Sequence, residues 1–260
     1  MSKRYAKALA GVAQLALLLG WLMAAPASAQ PPVDLALVLA ADGSGSIDDH
    51  EFRLQREGYA WAITHPKVLA AIAGGLEGAI AVAFMEWGAP ESQHTIVDWQ
   101  IIDGARSAAD FAEQLRQAPR VAFGYNSISN ALFHAGTLLA GAPVFAERHV
   151  VDISGDGPQI GGRPLEAVRQ ALLDQGITIN ALVIVSPGGG VPGPGGMPLD
   201  AHYRRDVIGG PGAFVRTAAG RDELAEALLD KLILEIAGGS HDTRQGGQIH
   251  VVESVSRERE

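Results

Sequence analysis

Apolar runs alternate with helical patterns along most of this 260-residue chain, and that alternation restricts the fold more than any other feature. Val33 to Ala41 reads as a buried strand, and Ala79 to Trp87, His149 to Ile153 and Thr178 to Val185 repeat the pattern. Ala213 to Thr217 is a shorter strand-like run. Between them, Asp48 to Thr64 brings Phe52, Gln55, Tyr59 and Ile63 round at helical spacing until Pro66 stops it. Pro66 to Leu76 is a short helix closed by Gly74 and Gly75. Ser107 to Gln117 is a helix capped by Ser107. Ser127 to Ala140, Pro164 to Gln175 and Asp222 to Ala237 are further helices, the last beginning at an Asp cap. Thr95 to Ile102 alternates apolar and polar residues and follows a Gly-Ala-Pro-Glu-Ser turn, so it forms a hairpin with the strand before it and lies at an exposed edge. Strands separated by helices of this length make βαβ units. The expected fold is α/β: a three-layer, doubly wound, mostly parallel sheet with one antiparallel edge strand.

The ends differ from this pattern. Lys3, Arg4 and Lys7 precede an apolar stretch from Ala8 to Met23 and an Ala27-Ser28-Ala29 cleavage site, which reads as a secretory signal peptide over residues 1–29. The expected folded domain covers 30–237, and 238–260 is a polar tail rich in Gly, Arg and Glu, with Ile249 to Val252 as a short candidate strand. The expected location is periplasmic or secreted, with no stable membrane insertion once the signal is removed. There is no cysteine, so neither disulfides nor a lipid-modified cysteine are available, and the core alone must hold the domain.

The formal charge is −9, and without Lys3, Arg4 and Lys7 it is −12. Lys67 and Lys231 are the only other lysines, and the arginines are scattered, so no basic footprint for nucleic acid or anionic lipid exists. Acidity favours cation binding instead. In open α/β sheets, ligands bind beyond the carboxyl ends of the strands where strand order reverses. Asp42-Gly43-Ser44-Gly45-Ser46 follows the first strand directly, placing a carboxylate and two hydroxyls at i, i+2 and i+4 on a glycine-rich turn. Such oxygens suit Mg²⁺, Mn²⁺ or Ca²⁺ rather than zinc. The same residues also serve as a turn and helix cap, with Ser46 or Asp48 as the N-cap. Ser154-Gly155-Asp156-Gly157 adds a second carboxylate after another strand, and Gly124-Tyr125-Asn126-Ser127 an amide and a hydroxyl at a helix start.

This set of loops resembles the von Willebrand factor A domain with its metal-ion-dependent adhesion site: Asp-x-Ser-x-Ser after the first strand, a Thr in a glycine-rich turn, and an Asp in a later Asp-Gly turn. Asp42, Ser44 and Ser46 match the first element, Asp156-Gly157 the third, and Asn126, next to Ser127, stands where the family has Thr. The resemblance runs from Val33 to Ala237. Leu54 to Tyr59, Ser154 to Pro158 and Val207 to Phe214 make the chain most similar to a group of uncharacterised secreted bacterial proteins within that superfamily. The resemblance implies a metal set of Asp42, Ser44, Ser46, Asn126, Ser127 and Asp156. In it Ser44 and Ser46 are direct ligands, Asp42 and Asp156 orient waters, and a Glu or Asp of a protein partner completes the shell. It also implies a binding domain rather than an enzyme. The alternatives are a metal-assisted hydrolase and a scaffold that no longer binds metal. The Asn126 amide oxygen can coordinate a hard cation but lacks a hydroxyl's reach.

Other chemistry finds little footing. No histidines pair at helical spacing, Gly43-Ser44-Gly45-Ser46 is not a nucleophile elbow, and no phosphate-binding glycine motif is present. Asp152 and Asp156 are close in sequence, but strand geometry sends them to different environments. The Gly/Pro-rich stretch 186–198 leaves the carboxyl end of a strand and reads as a lid or contact loop, or as a tolerated insertion.

Overall fold

The computed structural model describes residues 29–46, 48–185, 191–220 and 223–238. The expected signal segment apart from Ala29, the first part of the Gly/Pro stretch, the Asp222 cap and the Ile249 to Val252 run lie outside them. The elements all belong to one compact unit that begins at Pro32. Six strands, β1 (Pro32–Asp42), β2 (Ile80–Trp87), β3 (Gln93–Ile102), β4 (Phe145–Gly155), β5 (Thr178–Val185) and β6 (Val215–Ala219), form one sheet in the order β3-β2-β1-β4-β5-β6. Every pairing is parallel except β2 with β3. The expected architecture, with its antiparallel edge, is the one found.

From Leu35 to Ala41 β1 is apolar because it is covered on both sides. Leu35, Leu37 and Leu39 pack with Tyr59, Ile63, Phe111 and Leu228, whereas Ala36, Val38 and Ala40 pack with Ile128, Leu132 and Val151. The first layer is supplied by α1 (Asp49–Thr64), α2 (Pro66–Ala73), α3 (Ala105–Gln117) and α7 (Leu224–Ile236). The second comes from α4 (Ile128–Ala140), α5 (Leu165–Asp174) and the short α6 (Leu199–His202), which runs into a single π-helical turn at Tyr203–Val207.

Of the two candidate caps for α1, Asp48 is used. Its carboxylate accepts from the His50 and Glu51 amides at 2.8 Å, while Glu51 reaches back to the Asp48 amide, a capping box. His65 is extended before Pro66, as the proline ring requires, and ends one helix while capping the next.

The structure corrects several boundaries. α3 begins at Ala105, not at a Ser107 cap. Ser107 sits inside the first turn, and its hydroxyl donates back to the Asp103 carboxylate and accepts from the Asp103 amide. β4 starts four residues before His149, because Phe145 and Ala146 pair with Pro32 and Val33 although Glu147 and Arg148 break the apolar run. β6 lies two residues later than expected. α7 is preceded by Glu223, which makes no side-chain cap bond. Within the Gly/Pro stretch, Pro194–Gly196 form a 3₁₀ turn.

Candidate functional site

The chain fills the sheet outward from β1, first towards β2 and β3 and then, from β4, on the other side. The reversal therefore lies between β1 and β4, and the carboxyl ends of these strands are where open α/β sheets bind ligands. Asp42 ends β1 and Asp156 follows β4, so both carboxylates stand at this switch point.

Asp42 is fully buried. Its Oδ1 accepts from the Ser44 amide at 2.8 Å, and its Oδ2 accepts from Asn126 Nδ2 at 2.7 Å and from the Asp156 amide at 3.4 Å. Ser46 Oγ donates to Asp156 Oδ1 at 2.8 Å and lies 2.9 Å from Ser44 Oγ. A hydroxyl has one proton, so Ser44 is the donor in that second contact and the ladder runs Ser44 to Ser46 to Asp156. Asp42, Ser44, Ser46, Asn126 and Asp156 thus meet in one network. Ser127 does not join it, since its hydroxyl donates to the Gly161 carbonyl at 3.3 Å and its amide to that of Gly88. Asn126 turns its nitrogen, not the expected oxygen, towards Asp42.

Burial, reinforced by the nearby Asp156 charge, raises the Asp42 carboxyl to about 7. Two carboxylates held this close repel each other, and a cation between them relieves that repulsion. The donor set, two carboxylates and two hydroxyls with lone pairs to give, fits a hard divalent cation. Among the described residues no three His, Asp or Glu side chains gather as a metal cluster, which leaves the hydroxyls a necessary part of any such set.

Several supports escape a reading of local sequence. Arg120 Nη2 donates to the Gly43 and Ser44 carbonyls at 3.2 and 2.9 Å, holding the Asp42 turn from outside. Buried Arg56 donates through Nε to Glu86 Oε1 at 3.0 Å and through Nη1 to the Ala118 carbonyl at 3.1 Å, anchoring the segment that leads to Asn126. Gly124 in that segment has φ +83°, and a Cβ there would stand 2.5 Å from Ala89 Cβ, so glycine is required. Tyr203 donates to the Gly157 carbonyl at 3.0 Å. The Gln159 amide donates to His202 Nε2 at 3.3 Å, which puts the His202 proton on Nδ1, 2.6 Å from Asp206. The α6 and π-turn segment thereby fixes the Asp156 loop; its only sequence signal is the i, i+4 spacing of His202 and Asp206. Around the site Phe123 and Tyr125 are 53% and 73% exposed, with Val121 and Ile160 also uncovered.

A family model described as "Protein of unknown function (DUF1194)" matches residues 32–240. No curated protein matches in sequence. Among solved structures, a von Willebrand factor type A protein from Catenulispora acidiphila superposes with a TM-score of 0.56 at 15% identity, over 78% of this chain and 43% of that one. Proximal thread matrix protein 1 of the mussel byssus, with a zinc-occupied adhesion-site motif, gives 0.55 at 16%, over 78% and 46%. The von Willebrand factor domain of the type V pili tip protein Mfa5 from Porphyromonas gingivalis gives 0.55 at 10%, over 78% and 95%. The chain spans less than half the length of the first two. At these identities the likeness is one of fold: the chain has the fold of the von Willebrand factor A domains.

Proposed function

The chain belongs to the DUF1194 family of proteins of unknown function, and we propose that it is an exported, non-catalytic binding domain that captures a protein partner through a divalent cation. The observation that carries this reading is the meeting of Asp42, Ser44, Ser46, Asn126 and Asp156, from three separate loops, at the switch point of the sheet. Ser44, Ser46, Asp42 and Asp156 would hold the cation, with Mg²⁺, Mn²⁺ or Ca²⁺ as candidates. Asn126 steadies Asp42. The cation supplies an electrophilic point that an Asp or Glu of the partner can coordinate. The chain's own residues do the rest: Arg120 and Tyr203 hold the turns, while Phe123, Tyr125 and Ile160 offer exposed apolar area of the kind that anchors protein interfaces.

Solved neighbours include a pilus tip protein and a byssal protein with zinc in its adhesion-site motif, which accords with a cation and a protein ligand here. The hydrolase alternative needs a general base beside the ion. His202, packed against the Asp156 loop, has both ring nitrogens engaged and gives that alternative no support. Among the described residues no helix is long and apolar enough to cross a membrane.

The test is calorimetric titration of Mg²⁺ and Mn²⁺ into chelator-treated protein, with Ser44→Ala alongside. Saturable binding that disappears in the variant supports the reading; equal binding by both places the ion elsewhere.

A further inference from the structure

Two further acids and a lysine are sealed inside the molecule, away from the cation site. Asp152 on β4 and Lys231 are wholly inaccessible, and Glu235, one turn beyond Lys231 on α7, is 3% exposed. Lys231 Nζ touches Asp152 Oδ1 and lies 2.7 Å from Glu235 Oε1. Asn180 Nδ2 donates to the same Glu235 oxygen at 3.1 Å, and the Phe214 ring stands 5.8 Å from the amine.

A buried ion pair that serves only stability satisfies its carboxylate oxygens, because each unpaired one keeps its desolvation cost. Here neither Asp152 oxygen has a hydrogen-bond partner, nor does Glu235 Oε2. The Lys231 amine is pressed against the Asp152 carboxylate while Glu235 Oε2 is left without a partner. It stands in contact with one carboxyl, with a second beside it and water excluded, which is the proximity that a condensation needs.

We propose that Lys231 and Asp152 become joined by an intramolecular amide bond between Nζ and Cγ. The ammonium first gives a proton to the neighbouring carboxylates, and the freed nitrogen lone pair attacks Asp152 Cγ. The Cγ–Oδ bond then breaks and the oxygen leaves as water. Both protons lost by nitrogen depart on that water, one of them relayed by Glu235, and nothing is oxidised or reduced. Burial, and then the Asp152 charge, raise the Glu235 carboxyl to about 8, so it holds a proton near neutral pH and can serve as the relay. Lys231 is pulled both ways: burial lowers it, and the two carboxylates more than offset that.

The bond would tie the central strand β4 to α7 in a chain that has no cysteine for the purpose. The test is mass spectrometry of the purified protein after denaturation and tryptic digestion, independent of any cation. The expected result is a branched species joining peptides 149–169 and 222–244, lighter by one water than their sum and uncleaved after Lys231. Lys231→Arg should give peptide 149–169 unlinked, with 222–231 and 232–244 released by cleavage after residue 231, and Glu235→Gln should lose most of the linkage. Separate peptides of full mass from soluble, folded wild-type protein would overturn the bond, and full linkage in Glu235→Gln would overturn the relay.

Discussion

Asn126 Nδ2 stands 2.7 Å from Asp42 Oδ2, so the side chain at the position where the related fold family carries a hydroxyl ligand instead acts as a donor to the buried carboxylate. Replacing it with threonine removes that donor and restores a hydroxyl. Asn126→Thr should tighten Mg²⁺ binding by about tenfold, the worth of roughly 1.4 kcal/mol. Titration calorimetry of the two proteins side by side reads this directly, and weaker binding by the threonine variant would show that Asn126 itself belongs to the cation set.

Protons should compete with the cation. With Asp42 raised to about 7 by burial and by Asp156, the carboxyl is largely protonated at pH 6 and ionised at pH 8, so Mg²⁺ affinity should fall on acidification across that window. Stability of the cation-free protein moves the other way. A raised folded-state value means the native state holds a proton that the unfolded state has released, so stability is fully present below 3.8 and declines as pH rises to about 7. Thermal melts in chelator should therefore show a higher midpoint at pH 5 than at pH 8 from this carboxyl, with added Mg²⁺ narrowing the gap. A gap that Mg²⁺ leaves unchanged would detach the cation from Asp42.

Removing Arg56 leaves Glu86, 1% exposed, as an uncompensated buried charge and frees the carbonyls of Leu115 and Ala118. Arg56→Ala should cost about 3–5 kcal/mol. In a domain of this size that lowers the melting midpoint by on the order of 10 °C, measurable by scanning calorimetry.

Tyr203 offers a gentler perturbation. Tyr203→Phe deletes only the donor to the Gly157 carbonyl and should cost about 1 kcal/mol of stability. Because that carbonyl belongs to the Asp156 loop, Mg²⁺ affinity should fall severalfold while the circular dichroism spectrum is unchanged. An unaltered affinity would mean the loop is held by the His202 contact alone.

The sheet was legible because β1, β2 and β5 are apolar on both faces, which leaves a continuous run in the sequence. The carboxylates and hydroxyls of the site were legible because Asp42, Ser44 and Ser46 lie within one turn and Asp156 follows a strand of the same kind. What stayed hidden acts at long range. Arg56 sits in a helical pattern as one more polar residue, and only folding brings it to Glu86 and to the carbonyls of Leu115 and Ala118. Arg120 reaches Gly43 and Ser44 across a comparable gap. The 199–207 segment follows glycines and prolines and includes a π turn, which has no sequence period of its own. The turn of buried Ser127 away from the Asp42 network is set by backbone geometry at α4, where an N-cap residue with no side-chain cap bond sends its hydroxyl to Gly161 instead.

β1 is bracketed by β2 on one side and β4 on the other, so every amide along it is paired within the sheet or shielded by two helical layers. The floor of the site is consequently anchored in the buried centre of the sheet, whereas the rim at 121–126 and 156–162 is loop. Sequence change in those rims can reshape the surface around the site without disturbing the strand that carries Asp42.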